Sequence, residues 1–359
     1  MTFGLNELRM PDPGKVYRVV QWASGRTGKT SGRAVIRHPY MDLVGMWVHS
    51  PEKEGRDAGE LCGVDPIGIK TTRAIDDVIA LKPDCVLYMQ TSTDLDQICR
   101  LLEAGINIIT TMGDFHYPPR MDPAIRARVE DACARGGASI HSSGVSPGFI
   151  SESLPLLLTS VSRRIDSITI DEFANLPPAV PADMLIGAMG FGRSAGDGID
   201  PKRLEYTAGH FSHSLGVVAD ALGLAFDDIR TTGEVALARN PVELPGGRTI
   251  EKGTVASQRI TVAGMIKGRA LISMRLVWYC STDTDPAWKV QESGWHVVVE
   301  GDAPFDIAIA LPETEEPRPS RMAGYSVYRA INEIPYVCAA APGICTSADL
   351  PQIVPTGLE

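Results

Sequence analysis

The chain has no cysteine pair at metal-binding or redox spacing. Its seven cysteines (Cys62, Cys85, Cys99, Cys133, Cys280, Cys338 and Cys345) are scattered and odd in number. That argues against a disulfide framework or a zinc site, and for free thiols in the cytoplasm. No apolar run approaches the ~20 residues that span a bilayer. Residues 1–15 show no basic start followed by an apolar stretch, so no secretory signal is expected. Positive charge is also in short supply: 34 Lys and Arg stand against 44 Asp and Glu, a net charge of −10. This balance disfavours nucleic acid or an anionic membrane surface as a partner, and an anionic ligand must be held by local donors. Apolar residues make up 44% of the 359 residues, enough for a large core and two domains.

Residues 17–30 carry the strongest local signal. They read Tyr-Arg-Val-Val-Gln-Trp-Ala-Ser-Gly-Arg-Thr-Gly-Lys-Thr. An apolar strand runs into a turn of small residues and then into a helix. That order aims free backbone N–H groups and a helix dipole at an anion. Two phosphate-binding patterns overlap here. Read as G-x-G-x-x-G with Ala23 in first place, Ser24, Gly25, Arg26, Thr27 and Gly28 cradle a dinucleotide, with Gly25 admitting the pyrophosphate and Gly28 packing helix on strand. Read as A-x-x-x-x-G-K-T, Lys29 meets a triphosphate and Thr30 a magnesium ion, with Asp171 at another strand as the second metal ligand.

The first ~150 residues alternate strand and helix patterns, with strands expected at 18–22, 43–48, 85–89, 106–110 and 138–141. Such alternation predicts an α/β fold with a Rossmann-type, doubly wound parallel sheet, and ligands at the carboxyl ends of its strands. The pattern then changes. Strands expected at 167–173, 235–238, 255–262, 270–280, 295–300 and 305–311 have few helices between them. This region therefore reads as a second α+β domain on a mainly antiparallel sheet. Helices are expected at 182–189, 201–222 and, after a breaker run at 312–319, at 323–334. The implied domains are residues 1–150, 151–317 and a C-terminal segment, 318–359.

The dinucleotide reading gains support at the end of the second strand, about twenty residues beyond Gly28, which faces the adenosine ribose. An acid there marks NAD. Here His49 and Ser50 occupy the tip, followed by Lys53 and Arg56. Such donors, with Arg26, suit a 2′-phosphate, so NADP is favoured and NAD remains possible. Strand-end residues Gln90, Thr91, Thr111, Met112, Val145 and Pro147 complete the expected coenzyme contacts, with Gly144–Phe149 where a nicotinamide would lie.

These segments, together with Met189-Gly190-Phe191-Gly192, Ala330–Pro335, Pro342-Gly343 and Asp349-Leu350-Pro351, resemble the dihydrodipicolinate reductase-like superfamily. The branch they resemble is that of 2,4-diaminopentanoate dehydrogenase and native amine dehydrogenases. The resemblance implies NAD(P)H-dependent reductive amination of a small ketone or aldehyde, or the reverse oxidation. It also implies a homodimer made by a second domain that caps the active site, and a C-terminal helix that returns to the first domain. The H-H-x-x-K element of dihydrodipicolinate reductase proper is missing from residues 172–194. The branch implies an acidic pair after the fourth strand, and this chain has Gly113-Asp114 there.

Reductive amination needs a carboxylate to hold ammonium and exchange its proton. Asp114 is the first candidate, with His116 (and Tyr117 beside it) and His141 as further proton-transfer candidates. Phe149, Phe173, Asn175 and Met184 are expected pocket walls. No metal is expected: His210 and His213 share a helix face without a third ligand. The alternatives are an NADPH-dependent carbonyl or imine reductase that uses no ammonia, a nucleoside triphosphatase, and a coenzyme-binding sensor without turnover.

Overall fold

The structure is a computed structural model that describes residue 12, residues 14–312 and residues 318–356. The readings made over residues 1–15 and over the breaker run at 312–319 lie partly outside these. The chain divides into two compact units, Met1–Phe149 with Ser320–Glu359, and Ile150–Pro319.

In the first unit, strands β1 (Tyr17–Trp22), β2 (Met41–Trp47), β3 (Cys85–Tyr88), β4 (Asn107–Thr110) and β5 (Ser139–Ser142) form one parallel sheet with β15 (Gly343–Cys345), the last strand of the chain. The order is β15-β5-β4-β3-β1-β2. β3 and β5 are buried at every position, as a sheet covered on both faces requires. One apolar cluster gathers Val19, Val35, Met46, Leu87 and Ile331, and another gathers Val20, Trp22, Ile98, Leu102 and Ile108. Strand order reverses between β1 and β3, which places a ligand crevice at their carboxyl ends.

The covering helices are α1 (Arg26–Ile36), α2 (Ala58–Cys62), α3 (Ile75–Ala80), α4 (Leu95–Glu103), α5 (Pro123–Gly136) and α9 (Arg318–Ala339). Local chemistry fixes their starts. Asp57, Asp94 and Asp122 accept the first free N–H groups of α2, α4 and α5, and Pro123 opens α5, each such cap contributing about 1 kcal/mol. α1 is different. Its N-cap is Gly25, with no side-chain hydrogen bond, and its buried residues are Gly28, Ser31, Gly32 and Val35. The small residues bring the helix close: a Cβ on Gly32 would stand 2.6 Å from Cys62 Sγ.

In the second unit, α6 (Leu154–Thr159), α7 (Ala182–Gly187) and α8 (Pro201–Ala221) accompany strands β6 (Ile165–Asn175), β7 (Asp228–Ala238), β10 (Val255–Ile266), β11 (Arg269–Tyr279), β12 (Thr284–Asp285), β13 (Gly294–Gly301) and β14 (Phe305–Ala310). Two short strands, β8 (Val242–Leu244) and β9 (Arg248–Ile250), form a separate hairpin. The large sheet runs β12-β7-β10-β11-β6-β13-β14. Its pairs are antiparallel except β11 with β6, which is parallel. Strand alternation buries Ile168, Ile170, Met274, Leu276 and Val297 on one face. The opposite face carries Asp171, Phe173, Arg259, Arg275 and His296.

Candidate functional site

The turn between β1 and α1 distinguishes its two glycines. A Cβ on Gly28 would stand 2.9 Å from the Ala23 carbonyl carbon and closer still to its oxygen. Glycine there is a packing requirement. A Cβ on Gly25 would meet nothing within 4 Å, and its backbone is extended, with φ −71 and ψ −170. The fold leaves open space at Gly25, directly before an uncapped helix N-terminus. Those are the properties a diphosphate needs. Ala23, standing where the pattern has glycine, takes φ 73. Lys29 N donates to Gly25 O at 2.9 Å, closing the first helical turn.

At the tip of β2, His49 is exposed and Ser50 half-buried. The Lys53 ammonium donates to Ser24 Oγ at 3.2 Å, so the β2 tip is tied to the β1 turn. Arg73 Nε donates to His49 O at 3.1 Å. Trp22 and Trp47 stack at 4.4 Å and 8° beneath these tips, an aromatic pair worth about 0.5–1.5 kcal/mol beyond its buried area.

The tips of β3 and β4 meet through Asp114. Thr93 Oγ1 donates to Asp114 Oδ2 at 2.5 Å, and Asp114 is exposed. Thr93 has no motif signal, and only the sheet order brings it to Asp114. Gln90 donates to Tyr88 Oη, while Thr91 is exposed. Thr111 Oγ1 donates to Met89 Sδ at 3.5 Å, and Met112 N to Thr110 Oγ1 at 3.1 Å. Ser142 Oγ donates to Met112 O at 2.7 Å and accepts from Phe115 N at 3.2 Å. His116 is buried at 4% exposure and His141 at 1%, so neither meets solvent as Asp114 does.

Beyond β5, Ser146–Pro147 is a cis peptide. Phe149 N donates to Gly144 O at 2.9 Å, closing the turn that carries Val145 and Pro147. Phe149 is 38% exposed. Of the wall residues expected in the second unit, Phe173 and Asn175 lie two apart on β6 and Met184 lies on α7. Phe173 is buried with Val277, Tyr279, Trp288 and Val290; the Asn175 N–H donates to Ser293 Oγ at 2.9 Å; and Met184, on α7, is 54% exposed.

Asp171 is committed elsewhere. Arg275 grips both its oxygens, and His296 Nδ1 lies 3.7 Å away with Nε2 bonded to Asp306 at 2.7 Å. Asp171, Arg275 and His296 line a cavity of about 620 Å³ on the sheet face. Thr30 Oγ1 donates to Arg26 O at 3.1 Å. Neither group is presented to a magnesium ion, and the triphosphatase reading is not favoured. Among the described residues no group of three or more His, Cys, Asp or Glu is placed to hold a metal ion.

Residues 149–358, more than half of the chain, match the model of the 2,4-diaminopentanoate dehydrogenase C-terminal domain. The chain is 28% identical over 345 residues to an amine dehydrogenase of Streptomyces virginiae, covering 92% of this chain and 95% of that one. It is 25% identical over 290 residues to the 2,4-diaminopentanoate dehydrogenase of Acetoanaerobium sticklandii, covering 77% of each. The solved structure of an amine dehydrogenase from Mycobacterium smegmatis aligns with a TM-score of 0.71 over 95% of this chain and 98% of that one, at 19% identity. That last likeness is one of fold.

Proposed function

The chain belongs to the 2,4-diaminopentanoate dehydrogenase C-terminal domain family and is an NAD(P)-dependent oxidoreductase of the amine dehydrogenase kind; from that premise we propose a finer reading of its coenzyme, substrate and residues. It prefers NADPH to NADH. It converts a small ketone or aldehyde, ammonium and reduced coenzyme into amine, water and oxidised coenzyme, or runs the reverse. It works as a homodimer in the cytoplasm, a reading that rests on the family likeness and on the seven free cysteines. No described helix is long and apolar enough to cross a membrane.

The observation that carries the coenzyme reading is the open space at Gly25 before the uncapped start of α1. Ser24, Gly25, Arg26, Thr27 and Gly28 would hold the diphosphate. His49, Ser50, Lys53 and Arg26 would hold the 2′-phosphate. Glu52 turns onto its own backbone N–H and the Ser50 hydroxyl, which hold its carboxyl below the usual range; a 2′-phosphate would take the Ser50 hydroxyl from it. Gln90, Thr91, Thr111, Met112, Val145 and Pro147 would line the rest of the coenzyme. When bound, the coenzyme supplies the hydride for amination and takes it back on deamination.

Asp114 does the proton chemistry. Its carboxylate holds the ammonium, accepts a proton as nitrogen attacks the carbonyl carbon, and returns one as water leaves. Thr93 orients it. A single aspartate, one methylene shorter than glutamate, then does what the branch assigns to an acidic pair. His116, buried close by in the chain, orients this segment, and Phe149 contributes to substrate contact. Calorimetric titration tests the reading. NADPH should bind more tightly than NADH, and ATP with magnesium should not bind. Magnesium–ATP binding without NADPH binding would overturn it.

A further inference from the structure

His141 belongs by sequence to the candidates for proton transfer, but its surroundings point to another task. Its Nδ1 lies 2.9 Å from the Cys345 carbonyl oxygen, which only accepts. Its Nε2 faces Glu333 Oε2 at 3.5 Å, with the two side chains 1% and 2% exposed. A carboxylate also only accepts. Acceptors on both ring nitrogens suit the imidazolium and neither neutral tautomer. Glu333 in turn accepts from Arg329 Nε at 2.6 Å, one helical turn away on α9. Burial pushes the Glu333 carboxyl up, but the charges of His141 and Arg329 outweigh it and hold the carboxyl below its usual range. A carboxylate this deep needs such cations; left alone it would be uncompensated.

The same face of α9 meets the turn after β5 at further points. Val145 N donates to Ser326 Oγ at 3.4 Å. The Arg329 guanidinium lies 5.6 Å over the Phe149 ring. Ser326, Arg329 and Glu333 stand at i, i+3 and i+7, one stripe of a helix. The turn has little freedom of its own. A Cβ on Gly144 would stand 2.5 Å from Pro147 O, and one on Gly148 would stand 2.8 Å from Gly144 C.

We infer that Glu333 is a positioning residue: with Arg329 and a charged His141 it clamps α9 onto residues 143–149, and so sets the backbone that Val145 and Pro147 present to the coenzyme. This rests on the coenzyme site proposed above. Around His141 stand the Cys345 carbonyl, Glu333 and, behind Glu333, Arg329. Burial pushes the Cys345 thiol up to about 12, so it stays neutral and does not add to the charge balance near neutral pH.

The test uses the full chain with labelled histidine, and pairs nitrogen NMR of His141 with coenzyme kinetics. In the unaltered protein both ring nitrogens should stay protonated from about pH 6 to about pH 8. Glu333→Gln offers an N–H to Nε2, so His141 should lose a proton within that window. The KM for NADPH should then rise about tenfold, with kcat much less affected. Arg329→Met serves as the second variant if Glu333→Gln fails to fold, and should raise KM similarly while His141 stays charged. A neutral His141 in the unaltered protein, or an unchanged KM in a folded variant, would overturn the clamp. Unaltered protein that keeps a charged His141 but binds no NADPH would overturn the functional reading and leave the charge triad standing.

Discussion

The two glycines of the β1–α1 turn invite the same substitution with opposite outcomes. Gly28→Ala adds a Cβ that stands 2.9 Å from the Ala23 carbonyl carbon and closer to its oxygen. Both are backbone atoms, and Ala23 is already held at φ 73, so the neighbour cannot rotate away. Forcing a methyl into packed structure costs about 1–3 kcal/mol. Alanine's better helix propensity returns at most about 1 kcal/mol, which leaves a net loss of up to about 2 kcal/mol. A unit of this size loses about 2–4 °C of Tm per kcal/mol, which gives a fall of up to about 8 °C. Gly25→Ala meets no atom within 4 Å and needs no unusual backbone. As an N-cap change it should cost less than about 1 kcal/mol. Its methyl group instead fills the space left for the diphosphate, so the Kd for NADPH should rise at least about tenfold, or about 1.4 kcal/mol. Thermal unfolding and coenzyme titration on both variants give the comparison. A Gly25→Ala protein that binds NADPH normally, beside a Gly28→Ala protein that melts normally, would refute the reasoning.

Lys53→Ala should weaken NADPH binding about tenfold while leaving NADH binding unchanged, because only the 2′-phosphate loses a charged donor; equal losses for both coenzymes would count against the assignment. Asp114→Asn should lower kcat by about 10²–10⁴ with coenzyme affinity intact, as read by steady-state rates beside calorimetry. Asp57 gives a pH prediction. Burial pushes its carboxyl up, but N–H donors from Ile67, Gly68, Gly59 and Glu60 outweigh that and hold it below its ordinary 3.8. Its stabilisation is therefore present above that value and is lost as pH falls through the lower folded value. Unfolding followed along an acid series should show a flatter limb for Asp57→Asn than for the unaltered chain.

The parallel sheet was legible because β1, β3, β4 and β5 are short apolar runs between turn signals, and such runs mark strands buried on both faces. Strand β15 was not. Gly343, Ile344 and Cys345 form a strand by pairing with the edge of β5, a long-range event that three residues cannot announce. The parallel pairing of β6 with β11 was hidden for another reason: alternation has a period of two whatever the direction of the partner. The glycine pattern named the turn and gave its glycines different tasks, and the space around them agrees: a Cβ on Gly28 would strike Ala23, while one on Gly25 would strike nothing. Asp114 could be found from its place after a strand, whereas Thr93 could not, because sheet order makes them neighbours. Glu333 was the least legible. A charged residue on a helix is normally solvated, and its burial follows from His141 on a strand far away in sequence.

The most direct test of the account follows consumption of reduced coenzyme by the purified full chain with a panel of small ketones and aldehydes, each with and without ammonium. NADPH consumption should require ammonium, yield the amine and be lost in Asp114→Asn. Consumption indifferent to ammonium, or unchanged in Asp114→Asn, would contradict it.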